Sequence, residues 1–125
     1  MSEEETKVIE IAVAYHRAWT TGDWDSAEEH LAGDILCHAP SGTMEGKDAV
    51  RSFMKPFADS LTASTLLAAY GADHEALIMY DTANRSVSSA PAAELYRIEN
   101  DHIVQIRIIF DRLPFALARG DVVAV

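Results

Sequence analysis

Near Leu61 the apolar pattern of this 125-residue chain changes period, and that single change restricts the folds open to it more than any other feature. Upstream, Val8, Ile11, Ala12, Tyr15, Ala18 and Trp19 recur at three- and four-residue spacing, the stripe of an amphipathic helix over residues 4–21 that Gly22 ends. Asp23 caps a second, shorter helix, DWDSAEEHLAG, with Trp24, Ala27 and Leu31 inward and Gly33 as its stop. DILCHAP reads as a short strand closed by Pro40, and SGTMEG as a turn or tight hairpin. In KDAVRSFMKPFADS, a third helix, Val50, Phe53, Met54 and Phe57 share one face and Pro56 is expected to kink or shorten the end. Downstream the helical period fades into LTASTLLAAYGA, EALIMYDTA, RSVSSAPAAELYRIE and HIVQIRIIFD, separated by the turn signals DHE, TAN and END. Connections this short join antiparallel strands, because a parallel crossover needs a dozen residues or more.

Helix, helix, strand, helix and then a run of strands is an α+β order: a curved antiparallel sheet has to cover its apolar face with the N-terminal helices. Such a sheet wrapped by helices forms a cone with an internal pocket, the place for a small molecule. With almost half its residues apolar and no linker or repeat, the chain reads as one domain over residues 1–125. At this length folding buries roughly two thirds of the unfolded chain's surface, enough for a core without a covalent staple.

Twenty acidic against ten basic residues give a formal charge of −10, which repels phosphate backbones and anionic membranes alike. Neither nucleic acid nor a membrane is therefore an expected partner. The single cysteine, Cys37, excludes an intramolecular disulfide, and MSEEETK is acidic where a secretion signal is basic and then apolar. A cytoplasmic location is expected. His16, His30, His38, His74 and His102 form no His-x-His or HExxH pattern, so no metal site is expected.

Three stretches, YHRAWTTGDWDSAEEHLAGD, HAPSGTMEGKDAVRSFM and AELYRIENDHIVQIRIIFDRLPF, together resemble the nuclear transport factor 2-like superfamily in its SnoaL-like and ketosteroid-isomerase-like branch. The resemblance spans roughly Val8 to Phe115. It implies the cone fold and, less specifically, a cofactor-independent isomerase or cyclase acting by acid/base chemistry on a small apolar carbonyl compound. A non-catalytic binder of an apolar small molecule is the alternative, since this fold hosts both. In the isomerase branch a tyrosine precedes the Gly of a G-D pair by seven residues, and Tyr15 stands seven before Gly22. A second acid of that branch falls just before LYRI, at Glu94. The base expected just before the proline of the first strand is replaced by Ala39.

Alternation along AELYRI puts Glu94, Tyr96 and Ile98 on one face and Ala93, Leu95 and Arg97 on the other. An acid on an apolar face is held toward its neutral form, so Glu94 can donate a hydrogen bond or act as a general base near neutrality. Glu94 and Tyr15 are the expected catalytic pair. Trp19, Ala39, Phe53, Tyr96, Ile108, Phe110 and Asp111 are expected to face the substrate, Asp111 by reaching the pocket mouth unless it caps the next turn. Asp81 reads as a turn residue, and His38 as facing away from Ala39. IVQIRIIF is apolar on both faces, with Ile106, Ile108 and Phe110 on one and Val104 and Ile109 on the other, so a homodimer through the outer sheet face is expected.

Overall fold

The computed structural model describes residues 2–123. Its elements run α1 (Glu3–Thr20), α2 (Trp24–Glu29), β1 (Leu31–Ala39), β2 (Gly42–Glu45), α3 (Lys47–Ser60), β3 (Ala63–Ala72), β4 (Glu75–Ala83), β5 (Ala90–Glu99), β6 (His102–Phe110) and α4 (Leu113–Arg119). Helix α1 begins where the Ser2 side chain accepts a hydrogen bond from the Glu5 amide, and three glutamates in its first turn complement the helix dipole.

Two local expectations change. Gly33 does not end α2: the helix stops at Glu29, with His30 as its cap, and Gly33 lies inside β1. The cause is sheet pairing, since the His30 carbonyl accepts from the Ile103 amide at 2.8 Å and Leu31 is already a buried strand residue. Pro56 lies within α3 without shortening it, the helix continuing to Ser60.

The six strands form one open sheet in the order β2-β1-β6-β5-β4-β3. Strands joined by short turns pair antiparallel, β1 with β2 and β3 through β6 in succession, but β1 pairs parallel with β6, so the sheet is mixed rather than wholly antiparallel. Turn lengths speak only for neighbours in sequence, and β1 meets β6 after five intervening elements. An extra residue in β6 opposite Arg97 and Ile98 forms a bulge that turns Ile103 and Ile106 to the same buried face despite their odd spacing. A second irregularity lies at Leu66–Ala68 in β3, and such bulges raise local twist and curl the sheet.

Helix α1 packs on β3 and β4, and α3 covers β1 and β2. The approach of α1 is close at Gly71, where an added Cβ would lie 2.9 Å from the Glu5 carbonyl oxygen and 2.8 Å from Ile9. A side chain there would push the helix off the sheet. The opposite face of the sheet carries exposed Leu67, Tyr70, Leu77, Met79, Leu95 and Ile109. Among the described residues no helix is long and apolar enough to cross a membrane.

Candidate active site

Three rows of side chains cross the inner face of the sheet. Gly71, Ala76, Tyr96, Ile106 and Cys37 form the first, Ala69, Ile78, Glu94 and Ile108 the second, and Leu66, Tyr80, Ala92 and Phe110 the third. A carboxyl group thus stands between two isoleucines in the middle of the sheet, fully buried.

Two tyrosines reach it. Tyr96, two residues along the same strand, donates to Glu94 Oε1 at 2.8 Å, and Tyr80, one row over on β4, donates to Oε2 at 2.5 Å. Burial raises the Glu94 pKa above the ordinary carboxylate value, while the hydrogen bonds from Tyr80 and Tyr96 pull against that shift without cancelling it. Burial also raises the Tyr80 and Tyr96 hydroxyls well above their ordinary value, with the Glu94 charge adding to it, so both stay protonated. Cys37 is buried and its thiol is pushed up to about 12, by burial first and by Glu94 second, which leaves it inert as a nucleophile at neutral pH.

Tyr15 presents its ring edge to Tyr96, centroids 5.8 Å apart, and its buried hydroxyl has no hydrogen-bond partner among the described residues. His16 lies over Tyr80 at 4.5 Å and edge-on to Trp19 at 5.4 Å. Burial, helped by the neighbouring Arg17 charge, lowers the His16 pKa to about 4. Trp19 in turn touches Tyr80, Phe57 and Trp24 with centroids 5.9 to 6.4 Å apart. Aromatic rings therefore fill the inner end of the cone.

Beyond them the cone opens as a cleft of about 270 Å³. Its floor is the third row, where the small side chain of Ala92 leaves room between Tyr80 and Phe110; Ile108 stands beside them. Phe53, Met54 and Phe57 of α3 form one wall, and Arg112, Phe115 and Arg119 at α4 form the other, with Ser41 at the rim. Phe115 holds α4 in place by edge contacts with Phe57 at 6.0 Å and Phe110 at 5.8 Å.

Of the residues singled out in the sequence, Phe53, Ile108 and Phe110 line this cleft, while Glu94, Tyr15, Trp19, Ala39 and Tyr96 are absent from its lining. Tyr80 belongs to both sets, lining the cleft and bonding to Glu94. Asp111, expected at the mouth, is exposed, and its carboxylate accepts from the Leu113 amide at 2.9 Å, which fixes the turn into α4. Asp81 accepts from Ser89 and the Ala90 amide, bracing the β4–β5 connection. His38 bonds to Thr43 across the β1–β2 hairpin. Among the described residues no three His, Cys, Asp or Glu side chains gather in a metal-binding group.

Tyr80 and His16 escaped the reading of the sequence, although signals for both were present. Alternation in EALIMYDTA sets Tyr80 with Ala76 and Ile78, and His16 follows Ala12 by four residues and precedes Trp19 by three. Phe115, Arg112 and Arg119 follow the last strand, and nothing upstream of them signals that α4 brings Phe115 against Phe57 and Phe110.

An open cone with an apolar cleft and an acid buried at its inner end defines a class of small pocket proteins. A family model described as the SnoaL-like domain matches residues 12–106, and the chain belongs to that family. A crystal structure of a protein from Kribbella flavida is 50% identical, with TM-score 0.89, over 93% of this chain and 96% of that one. At 14% identity the fold also matches a proposed SnoaL-like polyketide cyclase from Jannaschia sp. CCS1, TM-score 0.82, over 94% of both chains. A proposed ketosteroid isomerase from Kribbella flavida matches at 10% identity and TM-score 0.74, over 86% of this chain and 80% of that one. No curated protein matches the sequence.

Proposed function

We propose that the cleft holds a small apolar carbonyl compound and that Tyr80, backed by Glu94, is its proton donor in chemistry of the isomerase or cyclase type. One observation carries the proposal: Tyr80 is shared between the lining of the cleft and the buried carboxyl. While Glu94 is ionised, both tyrosine hydrogens point at it. When it holds a proton, that hydrogen can be given to the Tyr80 oxygen, which frees the Tyr80 hydrogen to turn toward a ligand oxygen in the cleft. Charge developing on that oxygen in an enolate-like transition state then meets a donor already in place, in surroundings of low polarity. Tyr96 holds the other carboxyl oxygen and so fixes the acid's orientation.

A second reading, binding without turnover, is favoured by a different observation. Among the described residues no carboxylate or histidine lines the cleft, and Ala39 occupies the position where the resemblance places a base. An enzyme of this design must draw its base from water or from the substrate.

The two readings separate with 2-acetylnaphthalene in deuterated buffer. Fluorescence titration is expected to show binding that weakens about five- to tenfold in Tyr80→Phe, the worth of one hydrogen bond, and is lost in Ala92→Phe, whose ring fills the floor. Proton NMR of the methyl ketone then follows exchange of its α-hydrogens. Exchange faster than in buffer, and slowed in Tyr80→Phe, supports the catalytic reading. Binding without faster exchange leaves the carrier reading, and no binding at all contradicts both.

We further infer that two copies of the chain pair through the outer face of the sheet. Tyr70, Leu77 and Leu95 stand in one row across β3, β4 and β5, and Met79, Ala93 and Ile109 in the next across β4, β5 and β6. The helices α1 and α3 pack on the other side, so Tyr70, Leu77, Met79, Leu95 and Ile109 of these rows, with Leu67 beside them, face water in the single chain. A two-fold axis through this patch would bury the same residues from both copies. Sedimentation at micromolar concentration is expected to give a dimer that Leu77→Lys with Ile109→Lys dissociates. A monomeric parent protein contradicts the inference.

A further inference from the structure

The cleft's charged lining is of one sign. In a chain with twice as many acidic as basic residues, its charged residues are Arg112 and Arg119, and among the described residues no acidic side chain lines it. Arg112, Phe115 and Arg119 are spaced by three and four residues, so α4 presents one face to the cleft, an aromatic ring between two guanidinium groups. Phe115 fixes that face through its contacts with Phe57 and Phe110. Arg119 donates from Nε to Asp121 at 2.8 Å, an exposed pair that leaves its other nitrogens free to take a second oxygen acceptor. Arg112 makes no ion pair among the described residues. A guanidinium presents paired N–H groups at the spacing of carboxylate oxygens, and here two of them stand at the solvent end of an otherwise apolar slot.

We propose that the molecule held in the cleft carries a carboxylate at the end away from Tyr80, taken by Arg112 and Arg119. The ligand is then an apolar, flat-bodied keto acid, its ring system against Phe57, Phe110 and Phe115 and its ketone oxygen directed to Tyr80. This rests on the cleft being the ligand site, as proposed above.

The test compares 6-acetyl-2-naphthoic acid with its methyl ester, the same body with and without the charge. Calorimetry at low ionic strength is expected to show the acid binding about tenfold more tightly than the ester. Arg112→Gln with Arg119→Gln should erase that preference, the acid losing about tenfold more affinity than the ester, and both side chains are exposed, so the core is untouched. Raising the salt concentration should narrow the gap in the parent protein. Equal affinity for acid and ester, or a preference that survives in the double variant, overturns the carboxylate assignment alone. Failure of both compounds to bind overturns the cleft as the ligand site.

Discussion

Trp19→Ala is expected to cost the fold about 3–5 kcal/mol, the range for deleting a large buried aromatic side chain. Trp19 is fully buried where α1, α2, α3 and β4 meet, with His16, Trp24, Phe57 and Tyr80 around its ring. Its indole N–H has no partner among the described residues, so truncation strands no acceptor and the loss is one of packing and apolar burial. For a domain whose whole stability is of the order of 5–15 kcal/mol, this lowers the melting midpoint by roughly 10–25 °C. Thermal denaturation followed by circular dichroism measures it, with Trp19→Phe retaining most of the stability. A loss below about 1 kcal/mol would mean that the inner end of the cone is loosely filled and can collapse around the gap.

The second large effect is one of acid. His16 has a folded-state pKa of about 4 against an ordinary value of 6.5, because burial between Tyr80 and Trp19 disfavours the imidazolium and Arg17 adds to that. Its neutral form therefore stabilises the fold fully above pH 6.5, and that contribution is lost as the pH falls toward 4, where the unfolded chain takes up the proton more readily than the folded one. The gap corresponds to about 3 kcal/mol. Glu94 works in the opposite direction: its raised pKa means that the folded state keeps a proton the unfolded chain releases as the pH climbs past the ordinary glutamate value. The parent protein's pH profile thus superposes two opposing slopes. The His16 part is isolated by His16→Phe, which keeps an aromatic ring over Tyr80 and cannot charge. Urea denaturation at pH 7 and pH 4 is expected to show the variant gaining about 3 kcal/mol relative to the parent on acidification. A difference that does not change with pH would mean that His16 is reached by water in the folded state.

The change of period near Leu61 was enough to place the order of helices and strands as far as β6, because successive elements are linked by short turns and their faces follow from spacing alone, but α4 (Leu113–Arg119) was not foreseen. Glu94 on the buried face beside Tyr96 was legible for the same reason: within one strand, alternation is a local property. What crosses between distant elements was not. Tyr80 reaches Glu94 because Ile78 and Glu94 are register partners, and register depends on which turn closes β4 onto β5. The parallel seat of β1 beside β6, which brings Cys37 next to Ile106, has no trace in either segment. Asp111 and Arg112 are adjacent in sequence, yet the start of α4 turns one into a capping group and sets the other at the cleft.

Proton donation from Tyr80 requires that Glu94 hold its proton above the ordinary carboxylate range, since only the protonated form frees the Tyr80 hydrogen for a ligand. Carbon-13 NMR of the Glu94 side-chain carboxyl, assigned by comparison with Glu94→Gln and followed across the pH range, tests it most directly. A midpoint above the ordinary glutamate value is the predicted result, because burial outweighs the two tyrosine hydrogen bonds. A midpoint at or below that value would contradict the account, showing that Tyr80 and Tyr96 hold a permanent carboxylate and that no proton reaches the cleft through them.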